Sequence, residues 1–141
     1  MTTMRESFVA MIMDSLKSDE QLLLDSVVVE RSIYAAIDGS EPRVVVVHRG
    51  RDPVLASSIG RTTRQCDLLI TVVVRDAAPD QAADAIFQRT HQIVMAFDAP
   101  GVVGVEEVAT DEPETADIEG GVGIVTMRYT IQYQTSPNSL L

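Results

Sequence analysis

Residues 123–134 read Gly-Ile-Val-Thr-Met-Arg-Tyr-Thr-Ile-Gln-Tyr-Gln and decide the fold. The apolar positions are Val125, Met127, Tyr129, Ile131 and Tyr133. Hydroxyl, amide and guanidinium groups stand between them. Because successive side chains of a β-strand point to opposite faces, this alternation predicts one long strand with an apolar and a polar face. A sheet that contains such a strand is expected to be covered by helices on one side.

The composition indicates one domain with one core. The chain has 141 residues, of which 45% are hydrophobic, and it is therefore long enough for a single ordinary domain. Its 21 acidic and 11 basic residues give a formal net charge of -10, which disfavours unaided binding to nucleic acid backbones. The solitary Cys66 excludes an internal disulfide framework and indicates a reducing compartment.

No targeting segment is expected from the sequence. Residues 1–7 lack the basic region and apolar stretch of a secretory signal. No apolar run approaches the roughly 20 residues that a membrane helix needs. We therefore expect a soluble protein without a membrane partner, located in the cytoplasm unless it is packaged into a larger particle.

Hydrophobic periodicity predicts an α+β fold with the element order α-β-β-β-α-β-β. The expected sheet is mainly antiparallel or mixed, has about four to five strands, and carries two helices packed on one face. The predicted elements are a helix over 3–18, strands near 32–37, 43–48 and 65–75, a helix over 79–97, a strand over 102–108 and the final strand. The stretch before residue 38 is ambiguous, because Val27-Val28-Val29 also favours a strand and residues 31–36 could form a helical turn. We prefer a strand at Ser32–Ile37.

Three segments are predicted to lie outside the regular elements of this single domain, residues 1–141. Residues 50–63 contain Asp52-Pro53 and Gly60 and are expected to form a long flexible loop. Residues 106–119 are expected to form an acidic loop. Residues 136–141 are expected to form a mobile tail, whose two terminal leucines could dock on a neighbour, although a frayed end is the commoner explanation.

The sequence contains no recognisable catalytic, cofactor or metal site. His48 and His91 have no second histidine or cysteine at ligand spacing. Cys66 alternates with apolar strand positions, as a buried small hydrophobic residue does. The glycine-rich residues 120–123 lead into a strand, whereas a phosphate-binding loop leads into a helix. We therefore predict that the protein is not an enzyme and needs no cofactor.

Two clusters of opposite charge are the candidate subunit interface, partner interface or lumen. The arginine cluster comprises Arg43, Arg49, Arg51, Arg61 and Arg64. The acidic cluster comprises Glu106, Glu107, Asp111, Glu112, Glu114, Asp117 and Glu119. If subunits join head to tail, the arginine cluster of one can meet the acidic cluster of the next. Neutralisation within one chain explains the same residues nearly as well, and calcium binding is disfavoured because the EF-hand spacing is absent.

The order of these parts resembles the tail terminator, or tail completion, family of long-tailed bacteriophages. The resemblance spans nearly the whole chain. It rests on Arg5-Glu6-Ser7-Phe8 in the first helix, Pro42-Arg43-Val44-Val45-Val46 after a turn, the Leu68–Arg75 strand, the Pro79–Phe97 helix, a short strand, and the closing segment Val125–Tyr133.

The resemblance implies a virion protein that forms a ring, a homohexamer, on the end of the completed tail tube. The ring stops tube polymerisation and offers a surface to the head-side connector. Its partners would be further copies of itself, the tail tube protein and the connector or neck protein. DNA would pass through an acidic lumen without specific binding. Such a protein is located in the virion tail or neck, and in the host cytoplasm during assembly.

Two other functions stay open. Another neck component, such as a head-closure or adaptor protein, shares the size, the charge and the lack of catalytic motifs. A small enzyme or ligand-binding α+β domain is the alternative from a different class. It would require an acid–base pair that converges in a pocket, and no such pair is visible in the sequence.

Overall fold

The computed structural model describes residues 2–116 and 121–141. Over these ranges the chain forms four helices and seven strands. In chain order they are α1 (Met4–Lys17), α2 (Glu20–Leu24), β1 (Val28–Glu30), α3 (Ile33–Asp38), β2 (Arg43–Arg49), β3 (Val54–Ser58), β4 (Arg61–Val74), α4 (Pro79–Met95), β5 (Val102–Thr110), β6 (Glu114–Ala116) and β7 (Val122–Thr135). The predicted α+β class is confirmed.

The centre of the sheet is the antiparallel pair of β4 and β7, each 14 residues long. Their register runs without interruption from Thr62 opposite Thr135 to Val74 opposite Gly123. The predicted alternation in β7 is confirmed, because its five apolar positions named above are all buried in the main core. This core lies on the face of the sheet that α1 and α4 cover.

The sheet is mixed, with the lateral order β1-β2-β4-β7-β5. Only β1 and β2 are parallel among the strand pairs of the described residues. β3 continues along the same side of β4 as β2, and β6 continues along the same side of β7 as β5. The prediction of about four to five strands is therefore too low. The additional strands are β3 and β6, which follow β2 and β5 after short irregular segments that the hydrophobic pattern did not reveal.

The helices cover the two faces of the sheet unequally. Phe8 of α1 packs edge-to-face against Phe97 and Tyr133, with ring centroids 5.7 and 5.2 Å apart. α1 and α4 thus lie on one face, as predicted. α3 lies on the other face, where Ala36 packs with Val44 and other valines of the sheet. The prediction of helices on one face is therefore incomplete, because α3 packs on the other face.

The strand predicted at Ser32–Ile37 is wrong. Residues 33–38 form α3, and the Ser32 hydroxyl caps it by accepting a hydrogen bond from the Ala35 amide at 3.3 Å. The strand of this region is β1, where Val29 is buried beside α1. The Ser32 cap and the helix propensity of Ala35 and Ala36 favour a helix more than the β-branched Ile33 favours a strand.

The segment 50–63, predicted as a loop, is largely a β-hairpin. β3 and the start of β4 are joined by Ile59 and Gly60, and Gly60 has a φ of +87°, which glycine adopts without strain. We call residues 54–64 the arm. The proposed acidic loop 106–119 is also corrected, because Glu106 and Glu107 lie in β5 and Glu114 lies in β6. Residues 136–141 contain no helix or strand, and their mobility stays a prediction.

Candidate assembly surfaces

The two sides of the sheet end in unlike strands. On one side the edge is formed by β1 and, within the arm, by β3, all five residues of which are exposed. β5 forms the opposite edge, and its residues 106–110 are exposed. Within the described ranges, no strand pairs with the outer side of either. Unpaired edge strands offer main-chain hydrogen-bonding groups to another chain, and β3 carries no charged residue that would discourage this.

The arginine cluster is spread along the arm side of the sheet. Arg43 lies at the far end, where its guanidinium donates to the Asp25 carbonyl at 2.9 Å. Arg61 donates to the Gln134 side chain at 2.8 Å, and Arg64 donates to Thr135 Oγ1 at 3.1 Å. Arg51 is exposed in the segment between β2 and β3. Hydrogen bonds therefore position three of these arginines without neutralising them.

Arg49 is the one member of the arginine cluster with an acidic contact among the described residues. Its Nε atom lies 3.0 Å from Glu6 Oε2. The N–H is not aligned with that oxygen, so the contact is an ion pair without a hydrogen bond. Glu6 also accepts two hydrogen bonds from Arg31 at 3.1 Å.

The acidic cluster lies along β5 and β6 on the other side of the sheet. Glu106, Glu107, Glu112 and Glu114 are exposed. Asp111 accepts two hydrogen bonds from Arg128 Nε, at 2.9 and 3.0 Å. Asp117 and Glu119 lie outside the described residues. β4 and β7 separate the two clusters, and no ion pair connects them within the described part of the chain.

A buried polar group that the sequence did not reveal holds the base of the arm. Asp52 has a side chain only 8% exposed, and its Oδ2 atom accepts hydrogen bonds from Arg5 at 2.7 Å and from the Tyr133 hydroxyl. Its Oδ1 atom is buried without a protein partner. We call Arg5, Asp52 and Tyr133 the arm-root cluster. It joins α1, the segment before β3, and β7.

The environment of the arm-root cluster shifts the pKa values of Arg5, Tyr133 and the nearby Cys66. The hydrogen bond to Asp52 raises the pKa of the Arg5 guanidinium. Burial and then the hydrogen bond to Asp52 raise the pKa of the Tyr133 hydroxyl, which stays a donor. Burial also raises the pKa of the nearby Cys66 thiol to about 11. Cys66 is therefore a buried protonated thiol, as its place in the strand pattern indicated.

The sequence pattern gave little sign of the arm-root cluster, because Arg5 and Asp52 are 47 residues apart. In the sequence, Asp52-Pro53 indicates only a loop. The one available signal is that Tyr133 is a phenol in the apolar stripe of β7, since a buried hydroxyl needs a partner.

Exposed apolar side chains lie at both ends of the sheet. At the arm end they are Val54, Leu55 and Ile59, with Val103 at the start of β5. At the opposite end they are Leu23 and Leu24 of α2 and Tyr34 of α3. α2 lies at this end because Arg43 donates a hydrogen bond to the carbonyl of Asp25, the residue that follows α2. Arg43 is itself opposite Val74, at the end of β4. Each end thus offers apolar contact area to another molecule.

The grooves of the described surface are shallow and lack a metal-binding cluster. One groove, of about 830 Å³, lies between α2 and α4 beside Asp19 and Arg89. A smaller one, about 310 Å³, holds His91, whose Nδ1 is 2.8 Å from the Tyr129 hydroxyl and whose Nε2 is 3.7 Å from Glu107 Oε1. Both His91 and Glu107 are partly exposed to solvent. Within the described ranges, no three His, Cys, Asp or Glu side chains are grouped to hold a metal ion.

The helices of the described chain are also too short or too polar to cross a membrane. The structure defines a small α+β domain with a seven-stranded mixed sheet, two unlike edges and the arm hairpin at one end of the sheet.

Comparisons with known proteins identify a shared fold. No protein-family model matches the chain, and no curated protein matches it significantly. Among solved structures, a chain from the "Virion of native gene transfer agent (GTA) particle" matches with a TM-score of 0.61 and 17% sequence identity. The match covers 88% of this chain and 92% of that chain. At this identity the likeness establishes the fold.

Proposed function

We propose that this protein is a structural component of a phage-like virion. The observation that carries the proposal is the fold shared with a chain of a gene transfer agent virion, over nearly the full length of both chains. The order of elements, which resembles the tail terminator family, supports a finer role. In that role a homohexameric ring caps the tail tube, ends its polymerisation and joins it to the head-side connector.

The surfaces of the molecule fit this role. Two unlike edges on opposite sides of one sheet suit head-to-tail contacts, which close into a ring when the rotation between neighbours is right. Exposed apolar groups at both ends of the sheet suit contacts with a tube on one side and a connector on the other. The formal charge of -10 would let DNA pass through without specific binding.

A second neck component is the alternative that the same comparison supports. The neighbour is described as part of a whole virion, so a head-closure or adaptor protein agrees with the shared fold as well. Both roles are structural, require no catalytic group, and place the protein in the virion after assembly in the host cytoplasm.

The enzymatic alternative would centre on His91 and Glu107. Their 3.7 Å separation is long for a hydrogen bond, and both side chains face solvent. A catalytic acid–base pair works best where water is excluded. This arrangement therefore favours the structural role over catalysis.

Disruption of the gene in cells that produce the particle separates the two structural roles. Loss of a terminator should give tail tubes of uncontrolled length, measured by electron microscopy of lysates. Loss of a head-closure or adaptor protein should instead give tails of normal length that are not joined to heads. Intact particles in normal numbers would contradict both roles. Light scattering after size exclusion should additionally identify a six-subunit ring.

A further inference from the structure

We propose that residues 51–54, at the base of the arm of one copy, lie along β5 of the next copy, with Arg51 facing Glu106. This inference rests on the proposed ring and specifies how its neighbours meet. The occupant of each edge is a second copy of this chain. The register of the sheet sets the height of each residue, that is, its position along the direction of the strands.

Arg51 and Glu106 lie at the same height on opposite edges. The Arg51 carbonyl accepts a hydrogen bond from the Asp67 amide at 2.7 Å. Asp67 is opposite Thr130 of β7, and Thr130 is opposite Glu106 of β5. One row of residues across the sheet therefore begins with an exposed arginine and ends with an exposed glutamate.

A second row matches apolar groups in the same way. Val54 is opposite Arg64, Arg64 is opposite Tyr133, and Tyr133 is opposite Val102. Val103 follows Val102 at the register shift of β5 and is 59% exposed, and Val54 is 51% exposed. Near this height both edges thus present an apolar side chain that solvent reaches.

Rotation about an axis parallel to the strands brings these rows together. Such an operation keeps every residue at its height, so residues 51–54 of one copy meet residues 102–106 of β5 of the next at matching rows. β3, β4, β7 and β5 are successively antiparallel, so β3 and the neighbouring β5 are also antiparallel. Arg51 then meets the oppositely charged Glu106, and apolar groups meet apolar groups. This match favours the head-to-tail register over a symmetric pairing of two arms.

The register changes the choice of charge pair. The sequence alone suggests pairs such as Arg51 with Glu112, because it predicts the acidic cluster as a single loop. Glu112 follows the end of β5 and lies well beyond the row that contains Arg51. Glu106 is the acid that shares a row with Arg51. Neither Arg51 nor Glu106 forms an ion pair with another described residue.

Charge reversal tests the electrostatic part. Arg51→Glu and Glu106→Arg should each weaken self-association about 5-fold or more per contact, measured by sedimentation velocity at low salt. The double variant should recover most of the wild-type association. Lys17→Glu combined with Glu41→Arg makes the same charge changes away from both edges and should leave association unchanged. A double variant as weak as the worse single variant overturns the pairing.

Cysteine cross-linking tests the contact itself. A Val54→Cys/Val103→Cys protein should, on oxidation, give a series of covalent oligomers that ends at the ring size. Each single variant should stay uncross-linked, because unlike edges meet. Native Cys66 is buried, so it contributes no background.

The outcomes separate this inference from the proposed function. Cross-linking of either single variant to itself, or no oligomers from the double variant, overturns the arm–β5 contact. If a six-subunit ring still forms in that case, the proposed function stands and the neighbours meet elsewhere. If gene disruption leaves particles intact, the proposed function fails whatever the cross-linking shows.

Discussion

Replacement of Asp52 by asparagine should loosen the base of the arm. Asp52 Oδ2 accepts hydrogen bonds from Arg5 and from Tyr133. Hydrogen bonds to a charged group contribute about 1.5–3 kcal/mol each, and those between neutral groups about 0.5–1.5 kcal/mol. Asparagine has the same shape as aspartate and its side-chain oxygen can still accept a hydrogen bond. The contribution of each hydrogen bond to stability should therefore fall by roughly 1 kcal/mol. The Arg5 side chain is 26% exposed, and water partly screens its share.

The expected total loss is about 1.5–2 kcal/mol in the free energy of unfolding. With an entropy of unfolding near 2.1 cal/mol/K per residue, this lowers the Tm of a chain of this size by roughly 5–7 °C. Urea denaturation and calorimetry measure both quantities. Asp14→Asn, at an exposed helix position, is the matched control and should change stability by less than about 0.5 kcal/mol.

Two further readouts connect the loss to the arm. The amides of Gln65 and Asp67, which bond the Pro53 and Arg51 carbonyls, should exchange hydrogen faster in the variant. In a double-mutant cycle with Tyr133→Phe, the two changes should couple by at least 0.5 kcal/mol, because they share one hydrogen bond. A loss below 0.5 kcal/mol, or strict additivity with Tyr133→Phe, would refute this account of the arm-root cluster.

Three other predictions concern sites away from the arm-root cluster. The hydrogen bond from Arg89 holds the pKa of Asp19 below its usual value, so this stabilisation is present above about pH 3.9 and is lost as the pH falls through the lower folded-state pKa. The Asp19→Asn variant can still cap α2, and its free energy of unfolding should therefore change less with pH in that acidic range. A pH dependence as steep as that of the wild type would contradict this prediction. Gly123→Ala should cost about 1–3 kcal/mol, because its Cβ would lie 2.0 Å from Pro79 Cβ. Gly104→Ala, whose Cβ meets no atom within 4 Å, is the control, and equal losses in the two variants would rule out the clash. Cys66 should react with a thiol reagent at pH 8 at least about 100-fold more slowly in the folded than in the urea-unfolded protein, because its pKa is raised to about 11; similar rates would contradict its burial.

Local patterns predicted much of the fold. The alternation in β7, the valines of β2 and Pro79 at the start of α4 each report a property of neighbouring residues, and each element formed. Ser32 shows the limit of such patterns. The same serine, isoleucine and tyrosine suit a strand or a helix start, and packing of Ala36 against the sheet decides between them.

The candidate surfaces were predictable only in part. The sequence identified the exposed charges at Arg51 and Glu106, because charge is a property of single residues. It could not give their common height, because that depends on two bulged strands and on pairings across the sheet. The buried bond between Arg5 and Asp52 was equally inaccessible, since it depends on how α1 lies across the sheet.

The register of β4 and β7 has a consequence for synthesis of the protein. β4 ends at Val74, whereas its partner begins at Val122, so the central pair needs a loop of nearly fifty residues to close, which slows folding. Until the ribosome has released β7, the segment Leu68–Val74, with its β-branched residues, has one side open to other chains. Nascent copies crowded on one messenger are therefore at risk of aggregating through this strand. The yield of native protein should depend on chaperones and growth temperature more than on the stability of the finished fold.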